Sequence, residues 1–185
     1  MSSFAQAANV AYQQFAVIGQ RSGIPKNLLE RWSELSAAEP HMLTVSADEL
    51  DATLYHAVLA WDGRRPVGFA GIFPARTRDG HPVCYQEVRV MEFGSAVVEP
   101  EYRGHYIGQR MMRMRQTFLA GGPRAAIGVC VSTNPVVHHL LRKTDWYITD
   151  DTGLRHELCL CQNDRHNGTC PLQPDACWLF IPAGK

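Results

Sequence analysis

The sequence predicts an α+β fold: a mixed sheet, mostly antiparallel with a central parallel step, flanked by helices. Three observations predict it. Two apolar runs, YHAVLAW (55–61) and VGFAGIF (67–73), are separated only by the turn DGRRP, which reads as an antiparallel hairpin. The first fifty residues carry helical spacing rather than alternation. The second half then runs strand, helix, strand, helix, strand, an order that requires one parallel neighbour.

Taken in order, Phe4, Ala8, Ala11, Phe15 and Ile18 recur at three or four residues, predicting a helix over 4–19 that Gly19 ends. A second helix follows Pro25, with Leu28, Leu29, Trp32 and Leu35 facing inward. The stretch MLTV reads as a strand, and Ser46-Ala-Asp-Glu49 is a capping box that opens a short helix. After the hairpin, PARTRDGHP is a turn centred on Asp79-Gly80. VCYQEVRVMEF then leads into GSAVV as one long β region with a bulge or bend at Gly94.

EYRGHYIGQRMMRMRQ (101–116) is the next helix and its approach, with Ile107, Met111, Met114 and Phe118 on one apolar face. Arg110, Arg113 and Arg115 are expected on its solvated face. AAIGVCV is a buried strand, and NPVVHHLLRK a short helix with Asn134 as cap and Pro135 first. WYIT, LRHELCLC and CWLFI read as strands around the polar loop QNDRHNGTCPLQPD.

At 185 residues this is expected to be one domain, 1–185, with a core of its own. Lys plus Arg and Asp plus Glu are each 18, which leaves no basic excess for a nucleic acid. No apolar run reaches the length of a membrane span, and the N-terminus lacks the basic and apolar regions of a signal peptide. The scattered cysteines suit a reducing cytoplasm.

The most informative stretch is the mouth of the helix within 101–116. A helix N-terminus offers unpaired N–H groups and partial positive charge, so it attracts anions. Gly104 permits a tight turn, Gly108 permits close approach, and Arg103 adds a cation. AVVEPEYRGHYIGQRMM, read with this context, resembles the acyl-CoA binding motif of the GNAT superfamily of N-acetyltransferases. That motif is Arg or Gln, two residues, Gly, one residue, then Gly or Ala. Arg103 and Gly108 occupy its ends, and Tyr106 stands where the middle glycine is usual. The resemblance continues through AAIGVCV and NPVVHHLLRKTDW, covering residues 55–149.

It implies a GNAT-like fold and acetyl-CoA as co-substrate. The diphosphate would be held by Arg103, Gly104, His105, Tyr106, Ile107, Gly108 and Gln109, and the pantetheine arm by the backbone of Val97 and Val98. Ser132 and Asn134 are placed to bond that arm. Acyl transfer also needs a base for the amine, for which the strand carboxylates Glu92 and Glu87 are the candidates. His138 and His139 are weaker ones. The tyrosine acid frequent in the family corresponds here to Leu141.

These residues point to an N-acetyltransferase acting on an amine acceptor of unidentified class, with no nucleic-acid or membrane partner. A homodimer could form through an exposed C-terminal strand. Two rivals stand beside it. One is a GNAT-fold binding or structural module without catalysis, favoured by Tyr106 and Leu141. The other is a metal-stabilised interaction protein built on His156, Cys159, Cys161, His166, Cys170 and Cys177, although no Cys-x-x-Cys pair is present and no metal site is assigned.

Overall fold

The computed structural model describes residues 10–16, 22–40, 42, 44–76, 80–121, 126–132, 134–148 and 178–182. They fall into two compact units, one from residues 1–73 and 94–116, the other from 74–93 and 117–185. Strand pairing is mostly antiparallel with one parallel pair, as the sequence predicts. No helix among the described residues is long and apolar enough to cross a membrane.

In the first unit, β1 (Val10–Ala16), β2 (His56–Asp62) and β3 (Arg65–Pro74) pair antiparallel in that order, and β6 (Val97–Val98) joins β3. Over residues 10–16, β1 corrects the helix expected over 4–19; the rest of that stretch lies outside the described residues. Its apolar residues fit either period over so short a stretch, and the ladder Val10↔Asp62 to Ala16↔His56 settles the conformation through tertiary pairing. The expected hairpin is present. Ala57 and Leu59 of β2 join a core with Trp32, Leu50 and Phe69, while Val58 and Ala60 join one with Ile107 and Met111. Both faces of β2 are therefore covered, which explains its unbroken apolar run.

The first of these cores is closed by α1 (Lys26–Ala37) and α2 (Ala47–Thr53). Leu29 and Trp32 of α1 are buried, and Leu28 and Leu35 pack partly buried against them. α2 opens on the expected box: Ser46 Oγ accepts from Glu49 N–H at 3.2 Å, and Glu49 returns a carboxylate to Ser46 N–H at 2.9 Å. Thr44 and Val45 of MLTV have no strand pairing. The second core is closed by α3 (Ile107–Ala120). A Cβ at Gly68 would lie 3.2 Å from Met111 and 3.3 Å from Ile107, so glycine lets α3 lie close against β3.

Arg115 is a second correction. It is 1% exposed, not solvated. Position 115 stands one turn beyond Met111, and the buried stripe is Ile107, Met111, Met112, Arg115 and Leu119 rather than one centred on Met114 and Phe118. Nη1 donates to Gly71 O at 2.7 Å, so the buried charge meets a backbone acceptor. The same charge bears on His56, the first residue of β2, which is fully buried with Nε2 3.1 Å from Gln14 Oε1. Burial and then the Arg115 cation push the imidazole down to about 4.

In the second unit, β5 (Val88–Glu92) pairs parallel with β7 (Ala126–Ser132), the predicted parallel step. β9 (Trp178–Pro182) pairs antiparallel with β7 and with β8 (Trp146–Ile148). The long β region is interrupted. β4 (Cys84–Tyr85) folds back on β5 through Gln86 and Glu87, both at positive φ (48° and 67°), a geometry that matches the right-handed twist of a hairpin. α4 (Pro135–Arg142) starts as expected, with Asn134 Oδ1 accepting from Val136 N–H at 2.9 Å. The expected strand LRHELCLC and the loop after it lie outside the described residues.

Because the folded state holds His56 neutral to about pH 4 and the unfolded chain binds its proton near 6.5, protonation favours unfolding. Its contribution to stability is complete above about pH 6.5 and falls through the window down to 4, by up to about 3 kcal/mol. Urea denaturation across that window should show this slope, and His56→Gln should flatten it.

Candidate active site

The turn before α3 starts from β6. Glu99 N–H donates to Val67 O at 2.9 Å, and Val98 stands opposite Gly68. In an antiparallel ladder hydrogen-bonded and non-hydrogen-bonded pairs alternate, so Val98 turns its own N–H and C=O to the edge away from β3. Val97 is buried and Val98 half-buried. A 3₁₀ turn, Pro100–Tyr102, carries the chain onward, with Arg103 N–H donating to Pro100 O at 3.2 Å. Tyr102 is buried, and its hydroxyl donates to Asp62 at 2.6 Å, fixing this turn to the end of β2.

Next come Gly104 at φ 81° and Tyr106 at φ 60°, both left-handed. Tyr106 occupies the position where the motif normally carries glycine, and the backbone there has the conformation that glycine adopts at no steric cost. The residue is 77% exposed. Arg110 N–H donates to Tyr106 O at 3.0 Å, so helical bonding begins at that carbonyl. The N–H groups of Ile107, Gly108 and Gln109 are thus first-turn donors, which have no partner within a helix. No acidic residue stands in that first turn to oppose an anion. His105 is half-buried.

The Arg103 side chain is not held out toward this mouth. Its Nε donates to Val98 O at 3.0 Å and its guanidinium pairs with Glu39. Arg110 and Arg113 are exposed as expected, and Arg110 lies over the Tyr12 ring, 4.9 Å from its centroid.

The remaining candidates lie in the second unit. Glu92 is half-buried at the end of β5, opposite Val129 in the last step of the parallel ladder. Phe93 N–H donates to Val129 O at 2.7 Å, and the parallel pairing ends there. Glu87 is exposed at the tip of the β4–β5 hairpin rather than on a strand. Ser132 and Asn134 shape the β7–α4 turn: Asn134 N–H donates to Ser132 Oγ at 3.0 Å, while Asn134 caps α4. His138 Nε2 is 2.8 Å from Ser132 O, which makes it the donor in that contact and gives it a role in the same turn. His139 is exposed, and Leu141 is fully buried.

Sequence reasoning missed Glu39, Glu99 and Arg115. Arg115 alone left a signal, its spacing from Met111. Glu99 is 3% exposed and pairs with Arg31, at 3.4 Å, and with Arg65. Of the cysteine and histidine group, His156 to Cys170 and Cys177 lie outside the described residues.

A sequence model of the Acetyltransferase (GNAT) family matches residues 25–146. The chain belongs to the GNAT acetyltransferase family. A search of curated proteins gives no match. Among solved structures, the GNAT chain is similar to Arabidopsis thaliana Naa50 in complex with a bisubstrate analogue, CoA-Ac-MVNAL. The TM-score is 0.58 at 15% identity, covering 95% of this chain and 99% of that one. It is also similar to Rv2747 from Mycobacterium tuberculosis in complex with CoA and NLQ (TM-score 0.60, 10% identity, 95% and 99% covered). N-acetylglutamate synthase from Neisseria gonorrhoeae, complexed with coenzyme A and N-acetyl-glutamate, gives 0.57 at 15% identity, covering 95% of this chain and 35% of that one. At these identities the likeness is one of fold.

The left-handed backbone at 106 should be measurable in this GNAT chain. Tyr106→Gly should raise stability by about 0.5–1 kcal/mol, the relief of the left-handed strain less the entropy glycine adds to the unfolded chain. Gly104→Ala should lower it by about 1–2 kcal/mol. Urea midpoints at unchanged slope would check both.

Proposed function

We propose that this protein transfers an acetyl group from acetyl-CoA to a primary amine by direct attack. The observation that carries the reading is the turn at 104–106. Its two left-handed residues lead into the first-turn amides of α3, and Tyr106, at the middle position of the motif, is 77% exposed rather than buried. These features fit a diphosphate. The amides of residues 104–109 would hold it, and Val98, with its N–H on the edge away from β3, is suited to donate to the pantetheine arm. Bound acetyl-CoA supplies an activated acyl thioester.

Of the two candidate bases, Glu92 is favoured over Glu87. It sits half-buried at the end of a strand, in the last step of the parallel ladder. Glu87 is exposed on a hairpin tip. Positioning would supply most of the rate, about 7–11 kcal/mol of barrier for two reactants held in register. Buried Leu141 offers no proton to the leaving thiolate, which water would then have to supply. The family match takes in stretches of both units, which supports treating 1–185 as one acetyltransferase module. A cytoplasmic setting, with the free thiols Cys84 and Cys130 kept reduced, belongs to the same reading.

Calorimetric titration with acetyl-CoA tests the reading first: no heat and no thermal shift at millimolar ligand would remove it. Gly108→Asp should abolish binding by placing a carboxylate beside the diphosphate, while circular dichroism stays unchanged because an acidic residue suits a helix N-terminus.

Incubation with isotopically labelled acetyl-CoA and an amine panel, read by mass spectrometry, would identify the acceptor class. On the acceptor found, Glu92→Gln should lower kcat by about 100-fold or more, with acetyl-CoA affinity retained. Glu87→Gln should leave kcat unchanged.

A further inference from the structure

Arg103 opens the motif at the anion-binding turn, yet its side chain points to a different task. Nε donates to Val98 O at 3.0 Å, and the guanidinium pairs with Glu39, which is 22% exposed at the side chain. Glu39 stands just beyond α1, its N–H bonded to Ser36 O at 3.1 Å. Two further links join α1 to the same segment. Trp32 Nε1 donates to Ser95 O at 2.8 Å, where Ser95 has φ 47°, and Arg31 lies 3.4 Å from the Glu99 carboxylate. The chain from 95 to 103 is thus held at three points by α1 and the turn that follows it.

We infer that Arg103 is a positioning residue: the Glu39–Arg103 pair fixes the Val98 carbonyl at the strand end, and the diphosphate is bound by backbone amides without this cation. The inference rests on the acetyl-CoA reading above. A guanidinium that bridges a strand carbonyl and a carboxylate through Nε and Nη2 is held in the plane of that bridge. Swinging it to a phosphate would break both contacts and expose the Val98 carbonyl. The pair sets the geometry on which the pantetheine arm would lie, so its loss should be felt by ligands that carry the arm and not by those that carry only the diphosphate.

Calorimetry on the full chain with two probes, acetyl-CoA and ADP, separates the alternatives. ADP carries a diphosphate without pantetheine. Arg103→Gln and Glu39→Ala should each weaken acetyl-CoA binding by about 5- to 10-fold, the scale of one charged hydrogen bond, and leave ADP affinity unchanged. The double variant should be no weaker than either single one, since both break the same link. Were Arg103 a phosphate ligand, Arg103→Gln would weaken both probes alike, and Glu39→Ala, by releasing the cation, would tighten them. Either result overturns the inference while leaving the acetyl-CoA reading intact. Failure of the unaltered protein to bind acetyl-CoA would overturn both. Should Arg103→Gln not fold, Glu39→Ala decides alone by the direction of its change.

Discussion

The constraint on which the first unit depends is that the chain between Gly94 and Arg103 pairs with β3 only around β6, and carbonyls outside that pairing must be met some other way. A buried carbonyl without a partner costs free energy comparable to a lost hydrogen bond. The chain meets them one by one. Gly94 O accepts from Gly71 N–H at 3.3 Å, Ser95 O from Trp32, Val98 O from Arg103, Glu99 O from Tyr102 N–H at 2.9 Å, and Pro100 O from Arg103 N–H. Arg115 serves the carbonyl of Gly71, opposite the start of the break. Side chains that look unrelated in the sequence, a tryptophan on α1 and arginines at 103 and 115, are answers to one backbone problem.

That accounting explains why a turn that contains left-handed residues is held in one path. Strain at Ser95 and Tyr106 persists only where the surroundings over-determine the path. Here the path is fixed on one side by the α1 contacts and on the other by Tyr102, whose hydroxyl is anchored on Asp62. α3 then begins where the turn delivers it, and Gly68 lets the helix lie against β3 closely enough to bury Met111. Rigid support below and first-turn amides above are what an anion site of fixed geometry requires.

The sequence was legible where local chemistry decides the outcome. The capping box at Ser46, the Asn134–Pro135 helix start, the 56–74 hairpin and the α3 turn are all encoded within a few residues, and all are present. It was illegible where distant partners decide. Val10–Ala16 carries a spacing compatible with a helix, and only its pairing with β2 makes it a strand. Arg115 reads as surface because arginine usually is, and the Gly71 carbonyl that holds it lies 44 residues away. Glu87 reads as a strand residue because nothing in VCYQEVRV announces a two-residue turn without Gly, Asn or Asp. Glu39 left no signal at all, since its partner is 64 residues distant.

The tyrosine at 106 brings these levels together. A glycine at that position satisfies the backbone without regard to what surrounds it. A tyrosine does so at a cost in strain and only where its side chain has room, and here the residue is 77% exposed. The tyrosine therefore stands in a left-handed backbone that glycine would adopt without steric cost, and it adds a large exposed aromatic residue at the turn. The departure from the motif changes the side chain and not the sign of φ, and that is why an Arg-x-x-Tyr-x-Gly sequence is compatible with a glycine-type turn in a GNAT acetyltransferase chain.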